Sequence, residues 1–267
     1  MSSNRAAWEE ADFTEIADFM RQAGEEVVHS IGVAPPMRVL DLGCGDGTTA
    51  VPSAQLGAEV VGIDIARNLV DAGKRRAAAA GLDRLQFHEG DACNLEGVAD
   101  DSFDLTLSMF GAMFAPRPFD VAREMVRVTK PGGRIVMGNW IPNDPSFISQ
   151  LRKISASLLP PPPADCVSTL AWGVETHIIE RFGQAGVPRE KISMVRDTYN
   201  FTSPDKTPEE FVESFRRFYE PTFESAQASE KLDEFEHQLL ELAKSQNRSA
   251  DGSTLIPANY LRVTVTL

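Results

Sequence analysis

Val39-Leu40-Asp41-Leu42-Gly43-Cys44-Gly45-Asp46-Gly47-Thr48 is the stretch that decides the fold of this chain. Three glycines at alternate positions follow a short apolar run, 37–40, that is typical of a buried strand in a parallel sheet. Glycine lets the backbone turn sharply and approach a ligand closely, because no Cβ intervenes. Open α/β sheets bind nucleotide-like ligands in the crevice at the carboxyl ends of such strands. The stretch therefore predicts a ligand-binding loop at the end of a strand.

The acidic residues of this loop bear on the kind of ligand. A dinucleotide site uses the spacing Gly-x-Gly-x-x-Gly and holds a pyrophosphate on backbone amides, whereas here the spacing is Gly-x-Gly-x-Gly and Thr48 follows. Asp41 and Asp46 flank the turn, and each would repel a pyrophosphate by roughly 1–4 kcal/mol. A ligand with an ammonium, a sulfonium and an adenosine but no phosphate fits better, and S-adenosylmethionine is such a ligand. The alternative is an ordinary tight turn whose acids cap the next helix.

The composition is that of a soluble globular protein with room for a sizeable core. The chain has 267 residues, of which 42% are hydrophobic and 24% charged. A net charge of −13 disfavours binding to nucleic acid or to an anionic membrane surface, because both need a basic face. We therefore expect neither as a partner.

The cysteines and the apolar runs bear on metal binding and on the cellular compartment. Cys44, Cys93 and Cys166 lie far apart and form no Cys-x-x-Cys pair, so we expect no metal site. An odd number of cysteines suits a reducing compartment. No secretory signal is visible near the start, and no run approaches the roughly 20 apolar residues of a membrane helix. These features predict a cytoplasmic protein.

Strand and helix patterns alternate along the chain, which predicts an α/β fold with a doubly wound, mostly parallel seven-stranded sheet. The predicted strands are 37–40, 60–64, 85–91, 101–108, 134–139, 192–201 and 260–267. The predicted helices are 13–31, one starting near 48, 66–80, 119–128, 174–182, 208–227 and 230–245.

Four further motifs follow the glycine loop, and with them the chain resembles a known family. They are Gly62-Ile63-Asp64, Glu89-Gly90-Asp91-Ala92, Ser102-Phe103-Asp104 and Lys130-Pro131-Gly132-Gly133-Arg134. Over 33–141 the chain resembles the class I S-adenosylmethionine-dependent methyltransferases, within the small-molecule branch that includes ubiquinone- and menaquinone-biosynthesis-like enzymes. The resemblance implies a Rossmann-like methyltransferase fold and transfer of a methyl group to a small organic acceptor, with S-adenosylhomocysteine as the other product.

The resemblance also implies where the nucleoside of S-adenosylmethionine would bind. Asp64, 19 residues after Gly45, would accept both ribose hydroxyls, as acids do at this place in dinucleotide folds. Ile65 would pack on the adenine, Asp91 would accept its exocyclic amine, and the Ala92 amide would donate to the ring. Each strand-end acid could instead cap the following helix.

The remaining expected cofactor residues surround the methionine part. Asp41, Gly43 and Gly45, with Cys44 and Thr48 of the same loop, would lie around the methionine moiety and the sulfonium. The backbone at Ser108 would hold the amino-acid end. An aromatic residue before the first helix would close over the cofactor, and the candidates are Trp8, Phe13 and Ile16, of which Phe13 is preferred; simple packing of an amphipathic helix is the alternative.

No motif supplies a catalytic base. The fourth strand ends in Ser108-Met109-Phe110-Gly111 and lacks the Asn/Asp-Pro-Pro-aromatic box of DNA amino-methyltransferases. Alignment of an activated donor can itself lower the activation barrier by roughly 7–11 kcal/mol. Methyl transfer therefore does not require a base. Candidates for a base or an orienting group are any of several ring residues: His177, His237, Tyr199, Tyr219 and Tyr260. Each of these is more commonly a structural residue.

The chain is predicted to be a single domain, 1–267, with a core at 33–141 that binds the cofactor. A proline-rich loop, 142–168, and a helical cap, 207–247, complete it. The cap precedes the last strand, carries ten acidic against four basic residues, and would cover the acceptor with some of its aromatic side chains. The alternative role is a two-helix dimerisation element, so a monomer and a homodimer both remain open.

Two other functions remain open from the sequence. One is an NAD(P)-dependent oxidoreductase of the related dinucleotide-binding fold. The other is a protein that binds S-adenosylmethionine without catalysis.

Overall fold

A computed structural model describes residues 3–10, 13–161, 168–218 and 220–267. Its strands are β1 (Arg38–Leu42), β2 (Glu59–Asp64), β3 (Leu85–Glu89), β4 (Phe103–Met109), β5 (Thr129–Trp140), β6 (Ile192–Ser203) and β7 (Thr254–Thr266). They form one seven-stranded sheet in the order β3-β2-β1-β4-β5-β7-β6. The first five strands are parallel, and β7 runs antiparallel between β5 and β6. The predicted mostly parallel seven-stranded sheet is confirmed.

Helices connect and flank the strands. They are α1 (Ser3–Glu10), α2 (Thr14–Asp18), α3 (Arg21–Ser30), α4 (Ala50–Gln55), α5 (Arg67–Ala79), α6 (Pro118–Val128), α7 (Phe147–Leu158), α8 (Glu175–Gln184), α9 (Pro208–Phe218), α10 (Glu220–Ala228) and α11 (Leu232–Gln246). Among the described residues, no helix has the length and apolar character to cross a membrane.

The centre of the sheet explains where a ligand can enter. Val39, Leu40 and Leu42 of β1 are fully buried, as expected for a parallel strand covered on both faces. Because crossover connections return the chain to the same end of the sheet, the carboxyl ends of β1 to β5 lie along one edge. The glycine loop, the acids after β2 and β3 and the turn after β4 therefore meet at that edge.

One predicted helix is divided in two. The helix predicted over 13–31 separates into α2 and α3, because the carbonyl of Phe19 accepts from the amide of Thr202 in β6 at 2.8 Å and no longer serves the helix. The helix predicted over 208–227 is described as α9 up to Phe218 and α10 from Glu220.

The predicted loop 142–168 is wrong in its first half, where α7 lies. Phe147, Ile148 and Leu151 have helical spacing and are buried, and the carboxylate of Asp144 accepts from the Ser146 amide at 2.9 Å just before the helix. The prediction missed this amphipathic segment because it was based on the proline run later in the same stretch. Helix α1 was not predicted either. Cys166 and Tyr219 lie outside the described residues.

Strand β7 begins at Thr254, whereas the sequence predicts a start at Tyr260. Pro257 argues against a strand by the usual rule, because proline removes a ladder hydrogen bond. Here β5 pairs with β7 only from Tyr260 onward, whereas β6 pairs with it from Thr254. Pro257 therefore faces a side of the strand with no partner from β5, where the missing amide costs nothing in the ladder.

Candidate active site

A cleft of about 1200 Å³, including the space at its mouth that is open to solvent, lies at the carboxyl ends of the parallel strands. It is lined by nine of the eleven residues expected from the sequence to hold the cofactor. These nine are Phe13, Gly43, Cys44, Gly45, Thr48, Asp64, Ile65, Asp91 and Ala92. Asp41 and Ser108 are buried and are not part of this lining.

The backbone amides of the glycine loop are used within the protein. The Gly43 and Cys44 amides donate to the Ile63 carbonyl at 2.8 and 3.2 Å, and the Gly45 amide donates to Asp64 Oδ2 at 2.8 Å. A dinucleotide site needs such amides for its pyrophosphate. These three amides already have acceptors, so the loop presents no anion cradle to the cleft at these positions.

Gly43 and Gly111 allow the loops after β1 and β4 to touch. Gly43 has φ +67°, a conformation that favours glycine. A Cβ on Gly111 would lie 2.2 Å from the Gly43 carbonyl oxygen, which is closer than any real contact. The two loops therefore form one wall of the cleft only because both positions lack a side chain.

Asp64 ends β2 inside the cleft and is 9% exposed. Its Oδ2 accepts from the Gly45 amide and its Oδ1 accepts from the Ala66 amide at 2.9 Å. Burial raises the pKa of this carboxyl, against the lowering effect of these backbone hydrogen bonds. Each carboxylate oxygen has two acceptor sites, so Asp64 can organise the loop and still accept hydrogen bonds from a ligand.

Asp91 and Ala92 lie just beyond β3, which ends at Glu89 rather than at Asp91 as predicted. Asp91 Oδ1 accepts from the Cys93 amide at 2.8 Å, and Arg117 lies 3.6 Å from Oδ2. The Asp91 side chain is 42% exposed. It borders the cleft with acceptor capacity left for a ligand amine.

The surroundings of Asp46 show that one electrostatic prediction from the sequence, its repulsion of a pyrophosphate, is wrong. Its buried carboxylate is paired with Arg21, which donates to both oxygens, while Arg76 donates to its backbone carbonyl at 2.7 Å. Arg21 also donates to Thr48 Oγ1 at 2.8 Å. A carboxylate neutralised in this way does not repel a pyrophosphate. The occupied amides of the glycine loop, not Asp46, argue against a dinucleotide.

Asp41 and Ser108 support the cleft from behind. Thr49 Oγ1 donates to Asp41 Oδ2 at 2.7 Å, and burial raises the pKa of Asp41 to about 7. Its Oδ1 has no partner among the described residues. Ser108 Oγ donates to the Leu42 carbonyl at 2.6 Å and accepts from the Ala112 amide, which ties the end of β4 to β1.

Aromatic rings gather at the mouth of the cleft. Trp8 of α1 lies with its ring centroid 4.9 Å from that of Phe114 and 5.8 Å from that of Phe218. Phe13 lies 4.9 Å from Phe218 and would meet a Cβ on Gly45 at 3.7 Å. The three N-terminal candidates, Trp8, Phe13 and Ile16, all line the cleft. The rings come from both ends of the chain and cover the glycine loop.

Of the described candidates for a base, only Tyr199 lines the cleft. Its hydroxyl donates to the Met20 carbonyl at 2.8 Å, and burial raises its pKa. Tyr199 therefore stays protonated at neutral pH, and its proton points at the Met20 carbonyl and not at a methyl acceptor in the cleft. Tyr260 bonds to Asp197 at 3.3 Å, and His177 and His237 are exposed and lie elsewhere.

The apolar end of the cleft was not predicted from the sequence. Trp140 directly follows the predicted fifth strand, so the rule that ligands bind at carboxyl ends of strands could have found it. Phe110 has φ +62°, a rare conformation for a bulky residue, and its ring stacks on Trp140 at 3.6 Å with 1° between the planes. Other members of this end have no signal in the sequence: Met20, Met109, Ile148 and Phe201.

No metal site was expected, and among the described residues no three His, Cys, Asp or Glu side chains are grouped to hold an ion. Burial raises the pKa of Cys44 well above its usual range, which disfavours the thiolate that metal binding needs.

Comparisons with known proteins identify the core. Residues 40–137 match the family described as Methyltransferase domain. An uncharacterized protein of Mycobacterium tuberculosis is 32% identical over 223 residues, which cover 82% of this chain and 78% of that protein. The demethylmenaquinone methyltransferase of Renibacterium salmoninarum is 38% identical over 121 residues, 45% of this chain and 48% of that enzyme.

Solved structures support the same fold. The YcgJ protein from Bacillus subtilis superposes with a TM-score of 0.58 at 16% identity, covering 92% of this chain and 97% of that one. At this identity the likeness speaks for the fold alone. The oxidoreductase alternative is not favoured, because the family matched over the core is a methyltransferase family.

Proposed function

Because the chain belongs to the class I S-adenosylmethionine-dependent methyltransferases, in their small-molecule branch, we propose that the cleft binds S-adenosylmethionine and a small-molecule acceptor side by side. The observation that carries this proposal is the use of the glycine-loop amides. The Gly43, Cys44 and Gly45 amides bond to Ile63 and Asp64, and the charged residues described in the lining are the acids Asp64 and Asp91. Such a donor and acceptor set suits a cationic nucleoside without phosphate.

Within the proposal, each lining residue has a role that its geometry supports. Asp64 would accept from the ribose hydroxyls, with Ile65 against the adenine. Asp91 and the Ala92 amide would pair with the adenine edge. Gly43 and Gly45 let the ligand approach the backbone, and Asp41 would support the loop from behind through the hydrogen bond that it accepts from Thr49.

The chemistry asked of the protein is mainly positioning. When bound, S-adenosylmethionine supplies a methyl group on a sulfonium, which an acceptor lone pair takes while the carbon–sulfur electron pair stays on sulfur. Trp8, Phe13 and Phe218 would exclude water from the cleft, which strengthens electrostatic interactions inside it. Tyr199 would serve as a wall and not as a base, because its proton is committed to the Met20 carbonyl.

The proposal also covers the cap, the kind of acceptor, the cellular compartment and the assembly. The insertion α9–α11 would act as a cap over the acceptor, since Phe215 and Phe218 of α9 line the cleft. The acceptor would be a small molecule and not a nucleic acid, given the net charge of −13. We propose the cytoplasm as the compartment and a monomer or homodimer as the assembly.

Calorimetric titration tests the cofactor. S-Adenosylmethionine and S-adenosylhomocysteine are expected to bind, and NAD and NADP are not. Preferential binding of a dinucleotide would overturn the proposal. Incubation with radiolabelled S-adenosylmethionine and small-molecule extracts then tests catalysis. Binding with no transfer to any fraction would favour the non-catalytic alternative.

A further inference from the structure

The junction between α2 and α3, residues 19–21, is hydrogen-bonded to β6 at the edge of the sheet. The Phe19 carbonyl accepts from the Thr202 amide at 2.8 Å, and the Met20 carbonyl accepts from the Tyr199 hydroxyl at 2.8 Å. Tyr199 is fully buried, so its hydroxyl has no water to bond instead, and leaving it unpaired would be costly. The two bonds therefore hold the start of α3 at a fixed place relative to β6.

The next residue of the junction, Arg21, is bound to the glycine loop. Its guanidinium donates to Asp46 Oδ1 at 2.7 Å and to Thr48 Oγ1 at 2.8 Å, and it also bonds to Asp46 Oδ2. One turn later, a Cβ on Gly24 would lie 2.6 Å from Thr48 Cγ2, so helix α3 and the loop are in direct contact. Because a guanidinium is a planar fork, these bonds fix the orientation of the loop as well as its distance from α3.

The junction therefore connects two walls of the cleft across the sheet. Strand β6 supplies Tyr199 and Phe201 to the lining, and β1 leads into the glycine loop; β4, β5 and β7 lie between these two strands. Arg21 is not part of the lining, whereas Thr48 is, so Arg21 can act on the cleft through the loop that it holds. Such placement matters, because a misplacement of about 1 Å can lower the rate of a reaction roughly 100-fold.

We infer that Arg21 and Tyr199 are positioning residues for the methyl donor. Arg21 sets the position of the glycine loop, and the hydroxyl of Tyr199 sets the position of Arg21 relative to β6. The two walls of the cleft are thereby held in register by groups that bond to the protein and not to a ligand. This inference rests on the proposed function, because the loop that is positioned is the one proposed to hold the cofactor.

Removal of the Tyr199 hydroxyl tests the connection from β6. Tyr199→Phe keeps the buried ring and loses the bond to the Met20 carbonyl, so the glycine loop should lose part of its alignment. The affinity for S-adenosylhomocysteine, measured by calorimetry, should fall about threefold to tenfold. Tyr260→Phe is the matched control, because this ring is also fully buried and its hydroxyl bonds to Asp197; its affinity should equal that of the wild type. Wild-type affinity in Tyr199→Phe, or an equal loss in both variants, would overturn the inference.

Two substitutions of Arg21 separate positioning from a purely structural role. Arg21→Met breaks the ion pair with the buried Asp46, so the melting temperature should fall, and the affinity for S-adenosylhomocysteine should fall by about tenfold or more. Arg21→Lys keeps the positive charge beside Asp46 but not the fork that also reaches Thr48. It should recover most of the melting temperature and little of the affinity. An affinity that follows the melting temperature in both variants would show that Arg21 only stabilises the fold, and would overturn the inference.

Arg196→Met is the control for a loss of stability alone. It breaks the ion pair of 2.8 Å with the buried Asp144, between β6 and the turn before α7, so the melting temperature should fall while the affinity per folded molecule holds. An affinity loss equal to that of Arg21→Met would overturn the inference.

The wild-type titration separates this inference from the proposed function. If S-adenosylhomocysteine binds the wild type and all the variants alike, the cofactor proposal stands and the positioning roles are wrong. If it does not bind the wild type, the proposed function fails and the inference fails with it.

Discussion

Asp41 is a buried acid whose titration should be visible in the stability of the protein. Burial raises its pKa from 3.8 to about 7, so between these values the folded protein holds a proton that the unfolded chain releases. The stability contribution therefore falls as pH rises through this window.

Removing the titrating group should flatten that dependence. In Asp41→Asn, the free energy of unfolding should drop less between about pH 5 and about pH 8 than in the wild type, as measured by urea denaturation. Asp104→Asn is the matched control, because Lys130 lowers the pKa of Asp104 and its titration lies below this window. Parallel profiles for the wild type and Asp41→Asn would contradict the raised pKa.

Asp64 should matter to the ligand and to the loop at once. Asp64→Ala removes a charged acceptor from the cleft and should weaken S-adenosylmethionine binding by about 1.5–3 kcal/mol. It also leaves the Gly45 and Ala66 amides without their acceptor, so its melting temperature should fall. Calorimetry and circular dichroism measure the two effects.

Two variants make the Asp64 experiment specific. Asp64→Asn keeps one carbonyl oxygen and should recover part of the stability but little of the affinity. Asp71→Ala on the exposed side of α5 should leave both unchanged. An unaltered dissociation constant in Asp64→Ala would mean that Asp64 only organises the loop.

Single residues also show where sequence reasoning stops. Asp64 and Asp91 were predicted at the ligand edge because an acid at or just after a strand end lies there, and both line the cleft. Asp46 was misread, because nothing in the sequence reveals that Arg21, 25 residues earlier, folds back to neutralise it. Ser108 was predicted at the ligand edge of the sheet. The sequence could not show that its hydroxyl donates a hydrogen bond from the end of β4 to the Leu42 carbonyl of β1.

At the scale of elements, the contact between the loops after β1 and β4 should not tolerate a side chain. Gly111 has an ordinary helical φ of −85°, so Gly111→Ala introduces no backbone strain, only a Cβ 2.2 Å from the Gly43 carbonyl oxygen. The loops must separate, and both the melting temperature and the affinity for S-adenosylmethionine should fall.

The helical glycine Gly183 offers the matched control. It is exposed in α8, and apart from the backbone of its own helix no described atom lies within 4 Å of the place that a Cβ would take. Gly183→Ala should raise stability by about 0.5–1 kcal/mol through helix propensity and leave ligand affinity unchanged. If Gly111→Ala behaved like this control, the two loops would not be in the contact described.

Elements with strong local patterns were predictable, and those shaped by distant partners were not. The first five strands follow from short runs in which apolar residues are continuous or alternate with polar ones. The break between α2 and α3 depends on Thr202, far along the chain. The early start of β7 depends on β5 leaving one side of Pro257 without a partner, which local propensity cannot reveal.

At the scale of the whole molecule, the role of the insertion α9–α11 can be tested against dimerisation. Phe215→Ala opens the wall of the cleft, so turnover should fall while S-adenosylhomocysteine affinity and the mass by light scattering hold. Such a truncation costs about 3–5 kcal/mol of stability, so the fraction folded must be measured.

Phe235→Ala is the control for that loss of stability. Phe235 of α11 is fully buried and packs against Phe223 at 5.1 Å, outside the residues that line the cleft. It should lose stability but keep turnover per folded molecule. Conversion of a dimer to a monomer in Phe215→Ala, with activity per folded subunit intact, would favour the dimerisation role.

The pairing of β6 with β7 has a consequence for how such proteins change over generations. Ser203 and Thr254 are direct neighbours across the antiparallel ladder, so the 50 residues between them leave and re-enter the sheet about 5 Å apart. Topologically the insertion is one long hairpin connection, and such connections accept changes of length at small entropic cost. Recombination can replace it as a single cassette without disturbing the strand order, so the acceptor specificity proposed for the insertion would be inherited separately from the proposed donor site.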